Sequence, residues 1–266
     1  MDSRGDIHIV RALIVNADDF AYSLQVSAGI CEAFEHGVVT ETTLLVRSPW
    51  ARQSLVQARA CGLPVGLHLD LTSPFMADRA PRFGPEGKFC HELFAREFRR
   101  TPPPGLTCED LLACRGEMQS QIAAFADLAG RLPTHLDYHY GLHHIPEIMA
   151  LYVIVAEQHR LPIRWCERHA GRSPYPLVPD SYCDDYTGRD DAPADGFVRL
   201  AEESWEGVRE AACHPGHITP VGLADPYNGG RARELAALTT PALKTALAER
   251  GVRLVGFDWL KARLSQ

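Results

Sequence analysis

Four groups of residues could do chemistry. Asn16, Asp18 and Asp19 close the run RALIVNADD at 11–19. Adjacent carboxylates at a strand terminus repel each other unless a metal or a proton lies between them. Successive side chains diverge, so one could ligate a cation while the other faces a substrate. The alternative is that Asp18 or Asp19 caps the following helix. His68 stands in GLHL at 66–69, opposite Leu67 and Leu69. On pattern alone such a histidine is more often a hydrogen-bonded core residue than a ligand. The third group is THLDYHYGLHHIP at 134–146, with four histidines and an aspartate within a short span. In a strand, His135, Asp137 and His139 share one face. In a helix, His139 and His143 would share one instead, but no HExxH is present, and Gly141 and Pro146 oppose a long helix. The alternative is a solvated polar loop. The fourth is CHPG at 213–216, where proline and glycine fix a sharp turn and hold His214 at a strand end.

Spaced Asp, His and His residues suit a divalent cation with positions left open for water and substrate. A further carboxylate and a further histidine supply a base and an acid. No G-x-S-x-G, Walker loop or G-x-G-x-x-G is present, and the Gly229-Gly230 pair has no strand before it. Cys213 beside His214 is read as a small buried residue rather than a nucleophile.

The elements that must position these residues alternate. Apolar β-branched runs predict strands at 11–16, 38–46, 65–71, 135–137, 163–166, 207–213 and 252–257. Helical spacing predicts helices at 25–35, 51–60, 109–129, 146–159 and 240–250. Such alternation implies parallel strands joined by helical crossovers. The polar residues recur at strand C-terminal ends, where barrels and doubly wound sheets build their sites. The expected fold is α/β: a single TIM-like (β/α) barrel over 1–266, distorted or with fewer than eight strands. Two Pro-rich or Asp/Gly-rich stretches, near 73–104 and 173–197, break the rhythm and are read as insertions flanking the site. The first is expected to carry a short helix at 91–99.

The chain has 266 residues, with 27 Lys+Arg against 34 Asp+Glu and a net charge of −7. That charge opposes general nucleic-acid binding, which needs a dense basic surface. No apolar run reaches the roughly 18–20 residues of a membrane span. The eight cysteines form no CxxC pair and no export signal is recognisable, so reduced thiols and a cytoplasmic location are expected.

The motifs LIVNADDF, HGVVTETTLLV, VGLHLDLT, PTHLDYHYGLHHIP, CHPGH and RARELAALTTPAL follow one another in this order, with GVRLVGFDWL at the end. Each is weak alone; the ordered set resembles the YdjC-like carbohydrate deacetylases. The resemblance implies a TIM-like barrel and metal-dependent hydrolysis of an N-acetyl group on an amino sugar. By position it implies Asp19, His68 and His139 as metal ligands, Asp18 as catalytic base and His214 as general acid. Two positions depart from the family pattern: Ala21 stands where a glycine is usual, and Gly141 replaces the middle histidine of the third motif. Asp137, Tyr140, His143 and Arg164 are expected to contact substrate or support the ligands. For Asp137 the alternative is a plain loop hydrogen bond; for Arg164 it is an ordinary salt bridge. The cofactor expected is one divalent ion, magnesium or zinc. Two imidazoles and a carboxylate suit zinc, cobalt, nickel or manganese, while the resemblance allows magnesium. The expected partners are an N-acetylated sugar and at most a second copy of the chain in a homodimer, with no nucleic acid and no integral membrane segment. The competing readings are another metal-dependent hydrolase, such as a phosphoesterase, and a non-catalytic sugar-binding barrel.

Overall fold

The computed structural model describes residues 11–71, 106–139, 145–167, 171–184, 196–219, 225 and 227–263. Among the described residues seven strands form one sheet: β1 (Arg11–Phe20), β2 (Glu41–Leu44), β3 (Val65–Leu69), β4 (Leu136–Tyr138), β5 (Ser181–Cys183), β6 (Gly207–Cys213) and β7 (Val252–Leu254). The helices are α1 (Leu24–His36), α2 (Ala51–Cys61), α3 (Cys108–Ala129), α4 (Pro146–His159), α5 (Gly196–Glu202), α6 (Asn228–Leu238), α7 (Pro241–Glu249) and α8 (Asp258–Arg263).

Every strand pair is parallel, as helical crossovers require. The order is β4-β3-β2-β1-β6-β5, with β7 against the first residues of β1. The central strand is buried along almost its whole length and apolar from Ala12 to Val15, which suits a strand covered on both faces. The sheet curls, and one side chain demonstrates it: the guanidinium of Arg164 contacts β1, β4 and β6 at once. In sheet order β4 and β6 are separated by three strands. Helices pack outside this curled half-barrel, and the described apolar side chains form one core cluster between the two layers.

Local chemistry sets the helix ends. Ser23 caps α1 by accepting the Val26 N–H at 3.1 Å. Neither Asp18 nor Asp19 performs that task. Thr107 and Asp110 form a capping box on α3. Gly62 and Gly130 end α2 and α3 in the left-handed conformation.

Two expectations need correction, and one helix was not expected. The run at 163–166 is not a strand; it makes one isolated parallel bridge, Ile163 to Leu136. Its amides instead split between Leu177 O and Leu136 O, so the segment spans from β4 toward the stretch that leads into β5. The stretch near 173–197 is not wholly an insertion, because it supplies β5, paired with β6. The helix α6, not anticipated, begins with Asn228-Gly229-Gly230. The expected insertion near 73–104, with its helix at 91–99, lies outside the described residues.

Candidate active site

The polar residues gather at the C-terminal mouth of the sheet. Asp18 and Asp19 end β1, His68 lies on β3, His139 follows β4 and His214 follows β6. A regular strand would send Asp18 and Asp19 to opposite faces. Here the β1–β2 register shifts between Ala17 and Phe20, and Asp19 takes a left-handed φ of 67°. This bulge re-aims the side chain, so that both adjacent carboxylates enter one mouth. Ala21 is also left-handed, at φ 72°. A glycine would reach that conformation without strain, which accounts for the glycine usual there in the resembled family.

Asp19, His68 and His139 converge. Asp19 Oδ1 lies 3.3 Å from His68 Nε2 and 3.1 Å from His139 Nδ1, and the two ring nitrogens are 3.2 Å apart. Adjacent ligands of a cation with bonds near 2.1 Å stand about 3.0–3.4 Å apart, so the spacing fits a divalent ion. The donor chemistry fits as well. His68 Nδ1 donates to Asp137 Oδ1 at 2.7 Å, so Nε2 is the ring nitrogen that faces Asp19. Two lone pairs face each other there unless a cation or a proton lies between them. A second set, Asp18, His68 and Asp137, also clusters. Its two carboxylates are taken by Arg164, which leaves the first set as the better cation site.

Asp137 is wholly buried. Its Oδ2 accepts from Thr43 Oγ1 at 2.7 Å and Asn16 Nδ2 at 3.1 Å, with Arg164 NH2 at 3.3 Å. So fixed, it orients the His68 ring from behind, as carboxylates behind metal-bound histidines do. Burial pushes the His68 pKa down, but the carboxylates of Asp137, Asp19 and Asp18 together raise it well above the usual histidine value.

Arg164 is buried and grips Asp18 with a two-pronged contact, NH1 to Oδ2 at 2.6 Å and NH2 to Oδ1 at 2.7 Å. Its Nε donates to Glu210 Oε1 at 2.7 Å. Burial would raise the Asp18 carboxyl, but the charge and hydrogen bonds of Arg164 hold it well below the ordinary carboxylate range. Burial wins at Glu210, whose pKa rises to about 7 despite Arg164. Asp19 is likewise held well below the usual value against burial, first by Arg231 and then by His139. His214 Nε2 lies 3.8 Å from Asp18 Oδ2, and its side chain is 26% exposed. It is the one residue of this group with substantial access to solvent.

Of the sequence-predicted residues, Asp18, Asp19, His68, Asp137, His139, Arg164 and His214 meet at this mouth. Tyr140 and His143 lie outside the described residues. His135 immediately precedes β4, buried against Glu41 at 3.0 Å and stacked on Phe257. Cys213 is buried, its thiol donating to Asn16 O at 3.3 Å and its pKa pushed up by burial. The sequence reading missed Glu210, Arg231 and Glu234. Arg231 NH2 donates to Asp19 Oδ2 at 2.7 Å, and Glu234 Oε2 accepts the His214 backbone N–H at 2.6 Å. The available signals were the matched segment RARELAAL and a glutamate inside the strand before CHPG.

The YdjC-like protein family model matches residues 12–249. The chain belongs to the YdjC-like family. It is 34% identical to the chitooligosaccharide deacetylase of Serratia marcescens, over 93% of this chain and 98% of that one. It is 36% identical to a carbohydrate deacetylase of Geobacillus stearothermophilus, over 93% of this chain and 97% of that one. Among solved structures, a protein of Enterococcus faecalis described as a cellobiose-phosphate cleavage protein superimposes with a TM-score of 0.77 at 28% identity. It covers 94% of this chain and 99% of that one. The Xyl-CE4 domain of a xylanase from the hindgut metagenome of Trinervitermes trinervoides shares the fold, with a TM-score of 0.52 at 11% identity. It covers 96% of this chain and 92% of that domain. This YdjC-like chain therefore carries its cluster of histidines and carboxylates on a fold shared with carbohydrate-active domains. No helix among the described residues is long and apolar enough to cross a membrane.

Proposed function

We propose that this YdjC-like chain is a metal-dependent carbohydrate deacetylase that hydrolyses the N-acetyl amide of an amino sugar. One observation carries the reading: three convergent donors, Asp19, His68 and His139, lie beside a separate carboxylate and histidine, Asp18 and His214. Named relatives over nearly the whole chain support the reaction class. A divalent cation held by the three donors would polarise the acyl carbonyl and acidify a water.

The chain's own groups then divide the proton work. Asp18 stays ionised because Arg164 outweighs burial, so it accepts the proton of the attacking water. The two-pronged contact also restricts rotation of that carboxylate. His214 donates a proton to the departing nitrogen, which leaves poorly as an amide anion. Its partial exposure lets it exchange protons with solvent. Asp137 holds His68 in the tautomer that presents Nε2. Tyr140 and His143 are proposed as substrate contacts. The metal is proposed as zinc or magnesium, and the imidazole-rich donor set favours zinc.

The test is an acetate-release screen over N-acetylated mono-, di- and oligosaccharides with chelator-treated protein reloaded with zinc, magnesium, manganese or cobalt. Metal-dependent acetate release from at least one sugar is expected. A folded, metal-loaded protein that binds these sugars and releases no acetate would make it a binding barrel, and phosphate release from a sugar phosphate would make it a phosphoesterase.

A further inference from the structure

The matched segment RARELAAL has no role in the proton work above, yet its helix reaches the site at two points. Tyr227, Arg231 and Glu234 stand four and three residues apart, which places them on one face at the start of α6. Arg231 is buried and bridges two carboxylates: NH2 donates to Asp19 Oδ2 at 2.7 Å, and Nε donates to Asp225 Oδ2 at 2.8 Å. Asp225 is fixed in turn, because its Oδ1 accepts the Tyr227 N–H at 3.0 Å. The guanidinium lies 4.9 Å above the Tyr22 ring. One turn on, buried Glu234 accepts the His214 backbone N–H on Oε2 and the Tyr227 hydroxyl on Oε1, both at 2.6 Å. The Tyr227 ring meets the His214 ring edge-on, with centroids 6.1 Å apart. The backbone joins the two parts as well, since Gly216 N donates to Arg231 O at 3.2 Å.

Burying an arginine and two carboxylates is costly, and an apolar side chain would serve packing better. The arrangement is explained by what it fixes. Asp19 has two oxygens: Arg231 occupies Oδ2, and Oδ1 alone turns toward His68 and His139. We propose that α6 is a bracket holding both halves of the site. Arg231 is a positioning residue that keeps Asp19 a one-oxygen donor, and Glu234 is a positioning residue that sets the backbone from which His214 projects. The inference rests on the proposed function above for the roles of Asp19 and His214.

The two arms read out differently. In the purified full chain, zinc affinity is measured by competition with a chromophoric chelator, and kcat and KM are measured on an N-acetylated sugar that the wild type hydrolyses. Arg231→Gln should weaken zinc binding about 10- to 100-fold, the usual cost of losing a partner behind a metal ligand. Arg231→Lys, which cannot bridge both carboxylates, should fall between. Glu234→Ala should leave zinc affinity within about threefold and lower kcat about tenfold or more, with KM little changed. Glu234→Gln, which can still accept the His214 N–H, should restore most of kcat. If both Arg231 variants fail to fold, Asp225→Asn keeps the arginine and removes its anchor; it should weaken zinc binding severalfold. Zinc binding of wild-type strength in the folded Arg231 variants, or in Asp225→Asn if they do not fold, overturns the inference. So does loss of zinc in Glu234→Ala equal to that in Arg231→Gln. A wild type that binds zinc but releases no acetate sinks the deacetylase reading and leaves the zinc arm readable. A wild type that does both, with variants that match it, sinks the bracket alone.

Discussion

Replacing Arg164 by Met should invert the way this site responds to pH. The guanidinium is buried and is shared among Asp18, Glu210 and Asp137. Methionine keeps most of the apolar stem but leaves Asp18 and Glu210 without a cation. Removing one partner of a buried ionic cluster costs about 3–5 kcal/mol, because the remaining charge stays desolvated. For a chain of this size that is roughly 6–20 °C in Tm. In the wild type, Asp18 sits below its ordinary pKa, so its contribution to stability is present at neutral pH and is lost as the pH falls through the acid range. In the variant, burial of Asp18 is opposed only by His68 and His214 and its pKa rises, and Glu210, already raised to about 7, rises further. A raised carboxyl contributes stability at low pH that is lost as the pH climbs. The Tm gap between wild type and Arg164→Met should therefore widen from pH 5 to pH 8. The assay is thermal unfolding of both chelator-treated proteins by circular dichroism at constant ionic strength. A gap that stays constant or narrows with rising pH would refute the assignment of Arg164 as the charge that keeps Asp18 ionised.

Three further outcomes follow from the same geometry. Asp18→Asn should retain metal and lose about 10²- to 10⁴-fold in kcat on amides, as should His214→Ala. On an activated acetyl ester, whose leaving group needs little protonation, only His214→Ala should recover; equal impairment of both means the acid and base roles are misassigned. Asp137→Asn should weaken zinc binding about 10- to 100-fold by disturbing the His68 tautomer, and unchanged affinity in a titration would remove Asp137 from that role. Gly29→Ala places a Cβ 2.6–2.8 Å from backbone atoms of Gly216 and His217. It should cost about 1–3 kcal/mol and lower kcat by displacing the His214 turn, and a variant with wild-type Tm and kcat would contradict that packing.

Much of the fold is legible because β1, β3 and β6 are long enough for their apolar patterns to be distinctive. Where only a few residues pair, pattern runs out. Ser181–Cys183 is a three-residue strand inside a Pro- and Asp-rich stretch, and its pairing to β6 depends on residues remote in sequence. Conversely, Ile163 lies in an apolar run yet makes a single bridge, because its neighbours find other acceptors. The helix α6 was hidden by Gly229-Gly230, which reads as a loop. Gly230 is there because the Tyr227 ring occupies the space that a side chain would need. The candidate site was visible as residue types at strand ends, but its wiring was not. The bulge that turns Asp18 and Asp19 into one mouth depends on the left-handed Asp19. Glu210, Arg231 and Glu234 act through contacts that no local spacing encodes. Even alternation, which puts His135 on the face of Asp137, does not show that His135 precedes β4 and meets Glu41 while Asp137, within it, meets His68.

In the proposed mechanism, one cation held by Asp19, His68 and His139 drives acetate release. The most direct test is a titration of metal-free protein with zinc in the presence of an N-acetylated sugar hydrolysed by the loaded enzyme, with bound metal and released acetate measured in the same samples. Acetate release is expected to rise in proportion to occupancy and to saturate at one zinc per chain, with His68→Ala showing neither. Release that is already full in the metal-free protein, or saturation of zinc with no acetate formed, would contradict it.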